Sequence, residues 1–250
     1  MDQHNLDEIY RLNQRGGRQL SLLDLIAANT VDLELAAYLA GAVRSGASLL
    51  TAARPGNAGK TTVLAAALAF LPPGRRILTV ADPDMLSSRE QDVCLLAHEI
   101  GSGPYYGYLW GAAARRFFEA SGPNVSAISC IHADTLEELR EILCGGEIGL
   151  PAESFARIDV LAFLRLDRVA SGWRRRVTTV YEATQTQGPQ SHRRVFHWDE
   201  KADLFHADAR PERFGPAVEK MKVLLNRLRA TRTTDFDEVF EAAQDARIFH

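Results

Sequence analysis

Short apolar runs alternate with helix-like segments along most of the chain. Four of the runs are nearly continuous, as in strands that are buried on both faces of a parallel sheet. They are residues 47–53, 77–80, 93–97 and 125–131. Helix-like segments lie at residues 60–70, 109–120 and 136–143. This alternation predicts an α/β fold with a central, mostly parallel sheet and helices on both faces.

The last third of the chain has a different pattern. Strands are predicted at residues 158–164, 174–181 and 195–206, the last of them a hairpin that turns at residues 200–203. We expect these strands to pair antiparallel at an edge of the sheet. The three consecutive arginines at residues 174–176 are interpreted as a solvated strand face.

Helices are predicted near both ends of the chain. Two short helices fall within residues 21–44, with Ser21 and Asp32 as candidate N-caps, whereas residues 1–20 are polar and break at Gly16 and Gly17. Amphipathic helices are predicted at residues 216–230 and 236–246. We therefore divide the chain into a helical segment 1–45, a core 46–215 and a helical segment 216–250.

Residues 49–64, LLTAARPGNAGKTTVL, read as strand, tight loop and helix. A phosphate-binding P-loop is built in this way, because loop N–H groups and a helix N-terminus then face an anion. Lys60 would reach the β- and γ-phosphates, and the Thr61 hydroxyl would bind Mg²⁺. The other residues of the predicted cradle are Pro55, Gly56, Asn57, Ala58, Gly59 and Thr62.

The P-loop motif is imperfect. Arg54 stands where the consensus G-x-x-x-x-G-K-[ST] has its first glycine, although Gly56 is available for an unusual backbone angle. A structural βα turn is the alternative interpretation of the same stretch.

Polar side chains follow three of the predicted strands. Asp82 and Glu99 are carboxylates at strand ends, suited to hold a metal ion or to orient a water, and His132 occupies a corresponding position after residues 125–131. Each has an ordinary alternative: an Asp-Pro-Asp turn, a strand-capping glutamate and a structural histidine. Their order after a P-loop favours a functional role.

The composition limits the possible settings of the protein. It has 250 residues, 46% of them hydrophobic and 24% charged. Its net charge of −3 provides no overall electrostatic attraction for non-specific binding to nucleic acid. No apolar run has the roughly 18 residues of a membrane span, and no signal-peptide pattern opens the sequence. Three widely spaced cysteines favour a reducing compartment. We expect a cytoplasmic protein.

Together these motifs resemble the type II/IV secretion and pilus ATPase superfamily, whose P-loop core is RecA-like. From about residue 20 to residue 214 they follow the family's order. The segments are the P-loop, RILTVADP as the Asp box, DVCLLAHE as the Walker B strand, SAISCIHADTLEEL as the His box, and FARIDVLAFLR, RRRVTTVYEA and RVFHWDE as the closing strands.

The resemblance implies a hexameric ATPase that uses ATP and Mg²⁺ on the cytoplasmic side of a secretion or pilus machine, peripheral at the inner membrane. Its expected partners are further copies or a paralogous ATPase and a membrane-embedded platform protein, without nucleic acid. Glu99 would be the Walker B carboxylate and a metal ligand, and His132 would report on the γ-phosphate. Asp82 would be a second catalytic carboxylate, and Arg89 lies where the family often has an arginine just before Walker B.

The sequence departs from the family at several positions. Ala81 replaces the Asp-box glutamate to which the resemblance assigns activation of the attacking water, Gly101 replaces an arginine, and His98 replaces the glycine before Glu99. Most of the family's N-terminal domain is expected to be missing. We therefore expect ATP binding with slow hydrolysis, which Ala81→Glu should accelerate.

Three functional hypotheses follow from these features. The first is a secretion-type ATPase, and the second is a catalytically weakened nucleotide-binding module that assembles with an active paralogue. The third, an unrelated P-loop enzyme such as a small-molecule kinase, is disfavoured because the sequence shows no lid and no second basic phosphate clamp.

Overall fold

The computed structural model of this chain describes residues 2–13, 16–87, 92–170, 172–184, 186, 190–208 and 213–245. Its helices are α1 Gln3–Arg11, α2 Leu22–Ala27, α3 Leu33–Arg44, α4 Lys60–Leu68, α5 Ala112–Glu119, α6 Leu136–Cys144, α7 Ala152–Phe155, α8 Gly215–Ala230 and α9 Phe236–Gln244. Its strands are β1 Leu49–Ala52, β2 Arg76–Thr79, β3 Val93–Leu96, β4 Glu99–Ile100, β5 Tyr108–Leu109, β6 Val125–Ile131, β7 Val160–Val169, β8 Gly172–Ala183, β9 His192–Asp199 and β10 Leu204–Ala207. A 3-10 turn spans Pro83–Ser87.

The strands form one sheet, and its central part is parallel. In space the parallel strands run β2, β3, β6, β1, β7, so β6 lies between the P-loop strand β1 and β3. The prediction of a mostly parallel α/β sheet is therefore confirmed. Because the strands are parallel, the residues that follow β1, β3 and β6 meet at one edge of the sheet.

The closing strands extend this sheet in antiparallel fashion, as predicted. β7 pairs with β8, β8 with β9, and β9 with β10, whose tight connection covers the predicted turn at residues 200–203. The long β7–β8 hairpin adjoins β1 through β7. It therefore runs beside the P-loop.

Helices cover both faces of the sheet, as the alternating pattern predicted. One face carries α1 to α4, α8 and α9, and the other carries α5, α6 and α7, each over its own cluster of buried apolar side chains. Helices α3 and α8 pack closely at Gly41, where a Cβ atom would come within 2.8 Å of the Val218 backbone. Helices from segments 1–45 and 216–250 thus share one apolar cluster with the core, and the three-part division stays a prediction.

The capping predictions near the N-terminus are confirmed. Ser21 forms a capping box with Asp24 at the start of α2, and Asp32 accepts a hydrogen bond from the Leu35 amide at the start of α3. The sequence pattern had assigned no element to residues 1–20, yet α1 forms there. Its polar side chains bind the edge of the sheet: the Asn5 amide donates to the Arg75 carbonyl, just before β2, and accepts from the Ile77 N–H on β2.

None of the described helices combines the length and apolarity that crossing a membrane requires.

Candidate functional site

A cleft of about 600 Å³ opens at the edge of the sheet where β1, β3 and β6 end. Its floor is the loop after β1 and the first turns of α4, with Glu99 and His132 beside them. Its remaining wall comes from the N-terminal segment and from the β7–β8 hairpin, where the Trp173 ring is 60% exposed. Segments far apart in sequence therefore line one cleft.

The loop between β1 and α4 has the backbone of an anion cradle. Gly59, immediately before α4, has φ 96° and ψ 14°, and no side chain caps the helix N-terminus. The first N–H groups of α4 are therefore available to a bound anion. The positive φ expected at Gly56 occurs instead at Asn57, with φ 69°, and at Gly59.

The predicted cradle residues differ in exposure and position. Gly56, Asn57, Ala58, Gly59, Lys60, Thr61 and Thr62 line the cleft. Pro55 belongs to the same loop and is exposed, but it is outside that lining.

Lys60 is more buried than a surface lysine, with 6% of the residue exposed. Its Nζ donates a hydrogen bond to the Ala53 carbonyl at 3.1 Å and lies 3.3 Å from Nδ1 of His132. Its ammonium group is thus held over the loop by partners that a phosphate could replace. A substitution that shortens this side chain would also remove buried apolar stem.

His132 bridges the loop and Glu99. Its Nδ1 lies 2.7 Å from the Arg54 carbonyl, and its Nε2 lies 2.9 Å from Oε1 of Glu99. An imidazolium would donate to both acceptors, whereas the contact with Lys60 requires an unprotonated Nδ1. Strand β4 produces this arrangement, because Ile100 pairs with Ile131 and sets Glu99 beside the end of β6.

Two further side chains that the sequence did not single out contact Glu99. The Tyr108 hydroxyl donates to Oε2 of Glu99 at 3.4 Å, and the Cys130 thiol lies 3.8 Å from the same oxygen. Burial raises the pKa of both Tyr108 and Cys130 to about 12, so each is neutral near pH 7. The sequence signal for Cys130 was its place at the buried end of a predicted strand.

Thr61 and Glu99 could share a metal ion. The Thr61 hydroxyl lies 3.9 Å from the Cys130 sulfur, which also adjoins the Glu99 carboxylate. A hydroxyl and a carboxylate suit Mg²⁺, which takes one or two protein oxygen ligands and completes its shell with phosphates and waters. Within the described residues no cluster of three acidic, histidine or cysteine ligands occurs.

Arg54, at the position of the missing P-loop glycine, pairs with the loop after β6. Its backbone N–H donates to Asp134 at 2.7 Å, and its guanidinium, 66% exposed, pairs with Glu138 and lies 3.9 Å from Asp134. Thr135 caps α6 between them by accepting from the Glu138 amide. The replacement of glycine therefore links the P-loop to the His132 loop.

Ala81 and Asp82 are not part of the lining of this cleft. They follow β2, which is the edge strand of the parallel part, three positions from β1. The Asp82 carboxylate accepts a hydrogen bond from the Asp84 amide at 2.9 Å, as in an Asp-Pro-Asp turn. The catalytic role of Asp82 stays a prediction. Arg89 lies outside the described residues.

The arginines of β8 are not a solvated face, contrary to the sequence interpretation. Arg176 is buried, with 8% of its side chain exposed, and makes two 2.7 Å hydrogen bonds to the Asp203 carboxylate. Arg174 pairs with Asp167 at 3.2 Å. Arg175 turns to the P-loop instead, and its Nε donates to the Asn57 carbonyl at 2.8 Å. Each of the three side chains thus has a partner from another segment of the chain, and the pattern of a single strand does not reveal such partners.

The Arg176–Asp203 pair fixes β8 and gives a stability prediction. Asp203→Asn is expected to lower the free energy of unfolding at pH 7 by about 1–3 kcal/mol, because it weakens hydrogen bonds to a buried guanidinium. Those bonds also hold the pKa of Asp203 well below its usual range. The wild-type stabilisation is therefore complete above about pH 5 and declines as the pH falls below about 4.

Urea unfolding at several pH values would test this prediction. Glu200→Gln, in the same turn and 57% exposed, is the matched control and should cost less than about 1 kcal/mol. Equal losses for the two variants, or an unchanged acid dependence in Asp203→Asn, would contradict the assignment.

No protein-family model matches this sequence, and no curated protein does. The solved structures that are similar to it include the ATPases VirB11 and DotB. The VirB11 ATPase from the Brucella suis type IV secretion system, in complex with sulphate, is 21% identical, with a TM-score of 0.44, over 64% of this chain and 54% of that one. The Legionella pneumophila ATPase DotB is 12% identical, with a TM-score of 0.43, over 90% of this chain and 66% of that one. This chain thus matches about half to two thirds of their lengths.

Proposed function

We propose that this chain binds ATP with Mg²⁺ in the cleft and hydrolyses it as a subunit of a secretion or pilus-type assembly machine. The observation that carries the proposal is the line of contacts from Lys60 through His132 to Glu99. It joins a cation at a helix N-terminus to a carboxylate two strands away, at the edge where parallel sheets bind ligands.

The residues of the cleft have separate roles in this proposal. Loop N–H groups and Lys60 hold the phosphates, and Thr61 and Glu99 hold Mg²⁺, which would neutralise phosphate charge and orient the substrate. Glu99 also orients the attacking water. His132, hydrogen-bonded to Glu99 and to the Arg54 carbonyl, positions that carboxylate relative to the P-loop and is the group that a γ-phosphate would meet.

The assembly part of the proposal rests on the order of motifs in the sequence. We expect further copies, in a hexamer, or a paralogous ATPase as partners. A membrane-embedded platform protein would recruit the assembly to the cytoplasmic side of the inner membrane. Phosphate release by purified protein, with and without candidate platform proteins, tests this, together with the mass in solution when ATP and Mg²⁺ are present.

A catalytically weakened module that assembles with an active paralogue is the second candidate. The alanine at position 81 and the absence of Asp82 from the cleft lining favour it, because hydrolysis then depends on Glu99. Tight ATP binding without turnover, under every partner condition, would support this candidate over the first.

The sequence predicts that Ala81→Glu raises the ATPase rate, whereas the strand order in the structure predicts no effect. We expect this variant to leave the ATPase rate unchanged within about twofold. Strands lie about 4.8 Å apart, so a residue after β2 is about 14 Å from the P-loop strand. Misplacement of a catalytic group by about an ångström already costs about a hundredfold in rate.

Steady-state ATP turnover of the wild type and Ala81→Glu would test this expectation, with Ala81→Gln as the uncharged control. A tenfold or larger gain in Ala81→Glu alone would mean that β2 reaches the reacting phosphate, as the sequence comparison with the family suggested.

A further inference from the structure

The three consecutive arginines of β8 differ in what they contact. Arg174 and Arg176 each pair with a carboxylate, Asp167 and Asp203. In the part of the chain that the structure describes, Arg175 has no carboxylate partner, and its hydrogen bond is the one from Nε to the Asn57 carbonyl. Successive side chains of a strand point to opposite faces, so Arg175 is separated from the acidic groups that neutralise its neighbours.

Arg175 lies directly on the anion cradle. A Cβ atom added to Gly59 would be 3.5 Å from Cδ of Arg175, and both residues line the same cleft as Lys60. Lys60 reaches the cradle from the side of Ala53 and His132. The two cations therefore approach the loop from different elements, strand β8 and the start of helix α4.

The bond at Nε leaves both terminal nitrogens of the Arg175 guanidinium to donate elsewhere. A guanidinium carries five N–H donors in a planar fork, a geometry that matches two oxygens of a phosphate. Anchoring at Nε fixes the side chain over the loop before any ligand arrives, so less rotamer entropy is lost when it binds.

We propose that Arg175 is a second phosphate-binding cation of this site, which acts from the same chain and contacts the polyphosphate of a bound nucleotide. This inference rests on the proposed function of the cleft. It adds the basic phosphate clamp that the sequence did not reveal, because Arg175 is separated from the P-loop by more than a hundred residues.

Two variants and two ligands test the role of Arg175. Arg175→Gln removes the charge and keeps an amide that can donate to Asn57, and Arg175→Ala removes both. Arg168→Ala is the matched control, since Arg168 is exposed on the same hairpin and outside the cleft lining. The dissociation constants of ATP and of tripolyphosphate, a probe without a base, are measured by calorimetry in the presence of Mg²⁺.

We expect Arg175→Gln and Arg175→Ala to weaken both ligands by about tenfold or more, because a charge-assisted, two-pronged contact is lost. Arg168→Ala should bind both as the wild type does. Should Arg175→Ala fail to fold, Arg175→Gln alone decides.

The possible contrary results are distinguishable. If Lys60→Met loses ATP binding and Arg175→Gln binds both ligands normally, the role of Arg175 is overturned and the nucleotide site stands. If the wild type binds neither ATP nor tripolyphosphate, the proposed function and this inference both fall. A loss for ATP without a loss for tripolyphosphate would overturn the phosphate contact and assign Arg175 to the base or ribose.

Discussion

Lys60→Met is expected to weaken ATP binding by about a hundredfold, through loss of charge-assisted hydrogen bonds to phosphate. Methionine is preferable to alanine here, because the lysine stem is buried, with 6% of the residue exposed, and methionine keeps most of its volume. Burying the ammonium group costs desolvation free energy, which offsets much of the stabilisation from its hydrogen bonds. Removing it should therefore change the midpoint of thermal unfolding by no more than a few degrees.

Titration calorimetry with ATP and Mg²⁺, alongside thermal unfolding of the same samples, would measure both effects. Lys201→Met, in the exposed β9–β10 turn, is a control for loss of one positive charge and should bind ATP normally. An affinity equal to that of the wild type in folded Lys60→Met would rule out the P-loop role and favour a structural βα turn.

Glu99→Gln is expected to lower ATP turnover by about 10²–10⁴-fold, the usual contribution of a positioned acid–base group. ATP affinity should remain within a few-fold of the wild type. Glutamine has nearly the same shape, and its Oε1 can still accept from Nε2 of His132, so the contact between β4 and β6 is kept.

Single-turnover and steady-state phosphate release, measured beside ATP binding, would test this prediction. Glu119→Gln, an exposed carboxylate on α5 paired with Arg115, is the control and should leave turnover unchanged. Normal turnover by Glu99→Gln would mean that another group orients the water. A wild type that binds ATP and never hydrolyses it would favour the weakened-module hypothesis.

Much of the fold could be predicted because local pattern and burial agree. The four apolar runs became β1, β2, β3 and β6, since strands covered on both faces need apolar residues at nearly every position. The strand, loop and helix from β1 to α4 were predicted correctly because they are adjacent in sequence. For the same reason the caps Ser21 and Asp32 were predicted correctly.

The site could be predicted only as a set of candidates. Asp82, Glu99 and His132 all follow predicted strands, and this placement does not rank them; the order of Glu99 before Asp82 came from the resemblance to the family. Strand order decides which of them meet: β6 lies between β1 and β3, whereas β2 lies at the edge. Glu99 and His132 therefore lie at the P-loop, and Asp82 does not line the cleft.

The sequence by itself determined the elements, the parallel class of the sheet and the loop between β1 and α4, because each depends on residues close together in the chain. Only the tertiary structure decided the burial of Lys60, the contact of Cys130 with Glu99 and the position of Arg175 over Asn57. These features depend on which strands become neighbours. An apolar run indicates that a strand is buried, but it does not specify which strand will pair with it.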